Sequence, residues 1–208
     1  MKMNYTKTLL ISVIVLVSFF YIFRNTEMYD EWEKTHDWSK QSPSTDAGYE
    51  EGIEFLDRHP VDCSRKGIRG FDFNLYDSRS HNYHFDYDCA GGTESDDFTI
   101  NTNQGSECSY LSCYPNAFPI DCGHYPLTYF KYTRDGYGHN GHTYKCGTKP
   151  TTGQCRNIEN NYTREHKNHT EWLSLQKPLE CNSNEVLTRV DYQYSNGTGR
   201  YKGRCCKK

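Results

Sequence analysis

The sequence predicts an all-β, disulfide-rich fold: three β-hairpin repeats in a pseudo-threefold (trefoil- or prism-like) or sandwich arrangement, preceded by one N-terminal transmembrane helix. Three observations predict it. A cysteine-bounded aromatic unit recurs three times, ten cysteines all follow a single apolar run, and helix-forming stretches are scarce beyond that run.

The apolar run comes first. Thr8 to Phe23 carries no charge and is bracketed by Lys7 and Arg24. As a helix it spans roughly 24 Å at about 1.5 Å per residue, slightly short of a hydrocarbon core of about 30 Å. Snorkelling of Lys7 and Arg24 closes the gap. A cleaved secretory signal is the rival reading, but the run ends Ser18-Phe-Phe-Tyr-Ile-Phe23 with no small-residue cleavage site. Lys2 and Lys7 precede the run, while Glu27, Asp30, Glu31 and Glu33 follow it, which favours a cytosolic N-terminus. The ten distal cysteines fit an oxidising compartment. The expected organisation is a cytosolic tail at 1–7, a signal-anchor helix at 8–24, an acidic stalk at 25–51 and an ectodomain at 52–208. Such an organisation predicts a type II, single-pass membrane protein with its C-terminal part lumenal or extracellular.

Charge separates stalk from ectodomain. From Asn25 to Asp57 ten acidic residues face two lysines, with Ser42-Pro43-Ser44 and Gly48 as breakers. That composition reads as a solvated spacer, with an interfacial amphipathic helix over Met28–Trp38 as the alternative. From Arg58 onward 19 basic and 17 acidic residues nearly cancel, so no basic face of the kind that binds nucleic acid is expected.

The repeats fill the ectodomain. They run from Cys63 to Cys89, Cys122 to Cys146 and Cys181 to Cys205. Each has an aliphatic residue five or six positions after its first cysteine (Ile68, Leu127, Leu187), then a hydrophobic or aromatic pair at spacing two: Phe71/Phe73, Phe130/Tyr132, Val190/Tyr192. Alternation in Tyr83-His-Phe85-Asp-Tyr87-Asp-Cys89 puts aromatics on one face and polar residues on the other. Turn signals separate the strands at Asp77–Ser80, Asp135-Gly136, Asn140-Gly141 and Asn196-Gly197. A lone hairpin is marginal in water, so the three are expected to pack together. Ala90–Asp121 reads as an irregular insertion, and Asn160–Gln176 as the one stretch of helical character.

Aliphatic residues are few: 23 Ile, Leu, Val and Phe in the 157 residues from 52 onward, so disulfides must substitute for core. The repeat suggests Cys63–Cys89, Cys122–Cys146 and Cys181 with Cys205 or Cys206. Cys108, Cys113, Cys155 and one of the final pair remain for two further bridges, and a free or inter-chain thiol stays open. Adjacent cysteines on a strand face opposite ways, which sends Cys205 and Cys206 to different partners. Sequons at Asn161, Asn168 and Asn196 lie in the exposed portion and fit the secretory route as glycosylation sites.

Chemistry is sparse. His81/His84, His139/His142 and His166/His169 are His-x-x-His pairs, but spacing three on a strand divides a pair between faces, and hairpin-tip histidines are ordinary surface. No Cys-x-x-Cys pair suggests a zinc site, and no nucleophile elbow, His-Glu-x-x-His helix or clear carboxylate pair suggests hydrolysis. Asp86/Asp88 reads as a solvated face. No catalytic residue, metal or cofactor is expected, and most tyrosines are expected in the core.

Leu56-Asp57-Arg58-His59-Pro60-Val61-Asp62-Cys63…Phe71…Tyr83-His-Phe85-Asp-Tyr87-Asp-Cys89 resembles the Leu-Asp-Arg-His-x-x-x-Cys proteins of large DNA viruses of algae and amoebae and of some protists. More distantly the hairpin ending is similar to dermatopontin-like matrix proteins, without their Asp-Arg-x-Trp core. The viral resemblance implies a virion-membrane or host-surface protein with no assigned catalytic residues. The expected function is a membrane-anchored surface glycoprotein with a structural or attachment role. A tethered carbohydrate-binding module is the alternative, and a secretory-pathway enzyme the remote one. Expected partners are the membrane, other virion or surface proteins, or glycans.

Overall fold

The computed structural model describes residues 38–42, 45–46, 53–77, 82–91, 96–107, 118–134, 139–161, 163–164, 173 and 176–208. The expected span at 8–24 and the sequon at Asn168 lie outside them, as do Cys108 and Cys113. Among the described residues no helix is long and apolar enough to cross a membrane.

The described fold is all-β, with fourteen strands. β1 (Lys40–Gln41) and β2 (Thr45–Asp46) precede a short 3-10 helix at Ile53–Arg58. The first repeat follows as β3 (Val61–Asp62), β4 (Ile68–Asp77) and β5 (Asn82–Cys89). β6 (Asp97–Glu107) leads into the second, β7 (Ile120–Asp121), β8 (Leu127–Arg134) and β9 (His139–Gly147). β10 (Cys155–Glu159) and β11 (Thr163–Arg164) lead into the third, β12 (Leu179–Glu180), β13 (Glu185–Ser195) and β14 (Thr198–Lys207).

Each repeat is an antiparallel hairpin, and three sheets grow on the three hairpins in one order. They run β12-β4-β5-β1, β3-β8-β9-β6 and β7-β13-β14-β10, with β2 also along β5 and β11 also along β14. The short strand before each repeat's first cysteine does not join its own hairpin. β3 pairs with β8, β7 with β13, and β12 returns to β4. Pairing thus passes from first repeat to second, second to third, and third to first.

A bulge at the same place in all three hairpins makes this handover. The register shifts between Ile68 and Gly70, Leu127 and Tyr129, and Leu187 and Arg189. The skipped residues Arg69, Thr128 and Thr188 have carbonyls released from the hairpin ladder. Those carbonyls accept the N–H of Cys181 at 3.0 Å, Cys63 at 3.0 Å and Cys122 at 2.9 Å. One extra residue per hairpin therefore docks the first cysteine of the preceding repeat, the first hairpin taking that of the third.

Inward-facing positions stack in layers. Ile68, Leu127 and Leu187 are fully buried beside the disulfides. Phe71, Phe130 and Val190 form the next layer, followed by Phe73, Tyr132 and Tyr192 with cross-strand partners Phe85, His142 and Tyr201. Rings of Phe71 and Phe130 meet edge-on at 5.0 Å, and Phe71 meets Tyr201 at 5.4 Å. Buried tyrosines supply core that the aliphatics cannot, as the sequence predicts.

In the first sheet β12 lies unusually near β4. A Cβ on Gly70 would sit 2.9 Å from the Leu179 carbonyl oxygen and 3.0 Å from Glu180 Cα. Tyr129 and Arg189 hold the matching places in the other sheets and carry side chains there. Gly70→Ala is expected to destabilise by about 1–3 kcal/mol through overpacking against rigid backbone. A urea midpoint equal to wild type would refute it.

Several expectations change. Lys40–Gln41 and Thr45–Asp46, read as stalk, are edge strands on β5. The insertion read over Ala90–Asp121 contains the eleven-residue strand β6 and the linking strand β7. The helical reading of Asn160–Gln176 fails at Thr163–Arg164, which pair with β14; most of the remainder lies outside the described residues. Asn140-Gly141 is not a turn but the start of β9, where Asn140 is buried.

Candidate functional site

The disulfides set the frame. Cys63–Cys89, Cys122–Cys146 and Cys181–Cys205 close the three hairpin bases, and Cys155–Cys206 ties β10 to β14. Alternation separates the final pair as expected, Cys205 to Cys181 and Cys206 to Cys155.

The outward face of the first hairpin holds Asp72, Asn74, His84, Asp86 and Asp88. It is not a solvated face: Asp72, His84 and Asp88 are all buried. Asp86 accepts hydrogen bonds from Asn74 Nδ2 at 2.7 Å and Gln41 Nε2 at 3.0 Å, with His84 Nε2 at 3.2 Å. Asp88 receives the Ser39 N–H at 2.7 Å and the Arg69 guanidinium. These carboxylates pin β1 onto β5, because buried acids need donors. They have a structural job, which the alternation alone could not reveal.

The third sheet carries a polar trough. Arg204 meets Asp121 at 2.8 Å, and Arg189 bridges Asp121 at 3.3 Å and Asp191 at 3.0 Å. The trough measures about 630 Å³ and is lined by Arg189, Asp191 and Arg204 of these pairs, with Lys202 and Glu159. Glu159 is paired in turn with Arg200 at 2.8 Å.

The histidines depart from expectation. His84 and His142 are buried on strands, not displayed at tips, and His142 lies within 4.5 Å of the Phe118 ring centroid. His81, His166 and His169 lie outside the described residues. One group has metal-ligand spacing, Cys181, Glu185 and Cys205, with ligand atoms within 4.8 Å of one another. Its two sulfurs are bonded to each other, which removes the thiolates a metal would need. Glu185 is engaged by Arg156 Nη2 at 2.8 Å and by the Asn182 N–H at 3.0 Å.

No family model, curated protein or solved structure matches this chain.

Two ends of the molecule remain. At the hairpin ends, Asn196 and Gly197 turn the third hairpin with φ of 52° and 70°, and Asn196 is exposed. Asn161, after β10, is exposed too. The longer tips at 78–81 and 135–138 lie outside the described residues. At the disulfide end, Arg65, Lys66, Lys149 and Lys208 surround a cavity of about 150 Å³. These four residues are scattered in sequence, and only the convergence of three repeats brings them together. Arg65-Lys66 and Lys207-Lys208 are adjacent basic residues, but nothing in their spacing signals a shared cleft.

Stability should depend on acid through two carboxylates. Burial alone would raise the Asp86 pKa, but hydrogen bonds from His84, Asn74 and Gln41 and the charge of His84 outweigh it and hold it below the ordinary value. Arg156, with help from Asn182, holds Glu185 below the ordinary value against the opposing effect of burial. A folded pKa below the unfolded one gives stabilisation that is complete above the ordinary carboxylate range. It is lost as pH falls through the depressed folded value. Asp86→Asn/Glu185→Gln should be less stable at pH 7 and show a flatter stability curve between about pH 5 and pH 2. Parallel urea-midpoint curves for the two proteins would refute this.

Proposed function

We propose that this chain is a membrane-anchored attachment protein, of a virion membrane or cell surface, that presents its hairpin tips to a partner. In this reading the three sheets stand as a pseudo-threefold prism with its disulfides at one end and its hairpin tips at the other. Strand direction carries the proposal. β1 runs antiparallel to β5, and β5 finishes at Cys89, so the chain enters the first sheet from the disulfide end. The ends of the hairpin strands leading to the tips lie at the other end. The cyclic pairing of β3, β7 and β12 supports the threefold arrangement over a sandwich. Framework positions recur among the repeats, while the tip sequences YDSRSHN, TRDGYGHNG and SNGTG share no pattern. Variation at the tips on a shared scaffold is how loops carry recognition.

The test is adhesion of cells or beads displaying the full-length protein. Replacing residues 78–81 and 135–138 by Gly-Ser segments is expected to abolish adhesion without lowering the thermal midpoint. Adhesion that survives both replacements sinks the reading. Resistance to alkaline carbonate extraction tests the anchor, and purified virions without the chain would exclude the virion version.

One observation favours a tethered carbohydrate-binding module as a second reading. Phe98 and Tyr125 are the two exposed large hydrophobic residues described, and their rings meet edge-on at 6.3 Å. Exposed aromatic pairs are a common platform for amphipathic ligands. A glycan array without hits for the full-length protein would count against it.

A further inference from the structure

The disulfide end has a floor, walls and a charge, and the three repeats supply them jointly. Gly67, Pro126 and Val186 stand immediately before the fully buried Ile68, Leu127 and Leu187. They meet so closely that a Cβ on Gly67 would lie 2.6 Å from Val186 Cγ1 and 3.1 Å from Pro126 Cβ. This convergence makes an apolar floor continuous with the core. Above it lies the cavity of about 150 Å³, walled by Gly91 and Pro150.

The rim is basic. Arg65 and Lys66 come from the first repeat's opening turn, Lys149 from just beyond the second repeat, and Lys208 from the end of the third. Among the described residues no aspartate or glutamate lines the cavity. Arg65 faces Asp96 at 4.0 Å with both side chains more than half exposed, a contact of small energetic value. Lys208 Nζ donates to the Gly91 carbonyl at 2.8 Å, which positions its charge without cancelling it. From Arg58 onward the chain is nearly neutral, so this concentration of positive charge is local. A low-dielectric floor beneath such a rim focuses the field on whatever occupies the cleft.

Volume narrows the ligand. Sites that bury whole small molecules measure about 300–1,000 Å³, and this cavity is smaller. It suits a single compact anionic group held by charge-assisted hydrogen bonds from flexible ammonium groups and a guanidinium.

We propose that this cleft is an anion site that takes a phosphate or sulfate group, either free or as the terminal group of an ester. It is independent of the tips, and it stands whether or not they bind a partner.

Thermal unfolding of the full-length chain in neutral detergent, at constant ionic strength, tests it with inorganic phosphate, sulfate and glycerol 3-phosphate against chloride. A saturable rise in midpoint is expected with at least one of the three oxyanions. Lys66→Glu/Lys149→Glu is expected to weaken the apparent affinity by at least about tenfold, while Lys202→Glu, in the third-sheet trough, leaves it unchanged. If the charge reversals compromise folding, Lys66→Gln/Lys149→Gln gives the same readout with a smaller loss. Stronger binding of glycerol 3-phosphate than of inorganic phosphate would assign the cleft to ester-borne groups, and the reverse order to the free ion. No rise with any oxyanion beyond chloride, or wild-type affinity in the folded double variants, would overturn the proposal.

Discussion

Phe71→Ala is expected to cost about 3–5 kcal/mol, the usual range for removing a buried phenylalanine. Its ring is only 2 % exposed and touches one aromatic residue from each repeat: Phe85 at 5.8 Å, Phe130 at 5.0 Å and Tyr201 at 5.4 Å. The cavity would therefore open at the junction of all three sheets, where none can close it alone. Phe73 makes a useful comparison, since its ring neighbours Tyr83, Phe85 and His59 all belong to the first repeat or the turn before it. Loss of near-ultraviolet dichroism from rings in all three repeats should accompany the Phe71 change. Urea denaturation giving a loss below about 1.5 kcal/mol would mean that the centre repacks.

Removal of the Cys181–Cys205 bridge, as Cys181→Ala/Cys205→Ala, should cost about 3–4 kcal/mol by the chain-entropy estimate for a loop of this size. This bridge fixes more than its own hairpin. Cys181 directly follows β12, and its N–H bonds to the Arg69 carbonyl of the first repeat. Its loss should loosen the pairing of Leu179 with Phe71, seen as faster amide exchange in β4 than in β8. Cys155–Cys206 would remain and would still hold β10 to β14. Equal exchange rates in the two strands would show that the third repeat keeps its grip on the first without the bridge.

Much of the frame is legible in the sequence. Alternation around Phe71/Phe73, Phe130/Tyr132 and Val190/Tyr192 marks inward positions because side chains on a strand must point to alternate faces. The same rule assigns Cys205 and Cys206 to different partners. What escapes is whatever depends on contacts distant in sequence. Two-residue strands such as β3, β7 and β12 are too short for any period, and their partners lie in other repeats. The burial of His84 and Asp88 looks like ordinary polar alternation until Ser39, Gln41 and Arg69 are brought against them. Lys40–Gln41 reads as stalk because its composition is polar; its pairing with Asp86 and Tyr87 belongs to the partner strand. The basic cleft is hidden for the same reason, since Arg65, Lys149 and Lys208 meet only at the convergence of three repeats.

The return of β12 to β4 also governs the order in which this protein can be made. Phe71 leaves the ribosome more than a hundred residues before Leu179, its partner across the sheet. Until then one edge of β4 is an open row of backbone donors and acceptors, a template for pairing with any other extended chain. Non-local closure of this kind slows folding and prolongs exposure of such edges. A chain stopped before residue 179 would keep that edge permanently open, so premature termination should yield aggregates and not a smaller, soluble two-repeat protein.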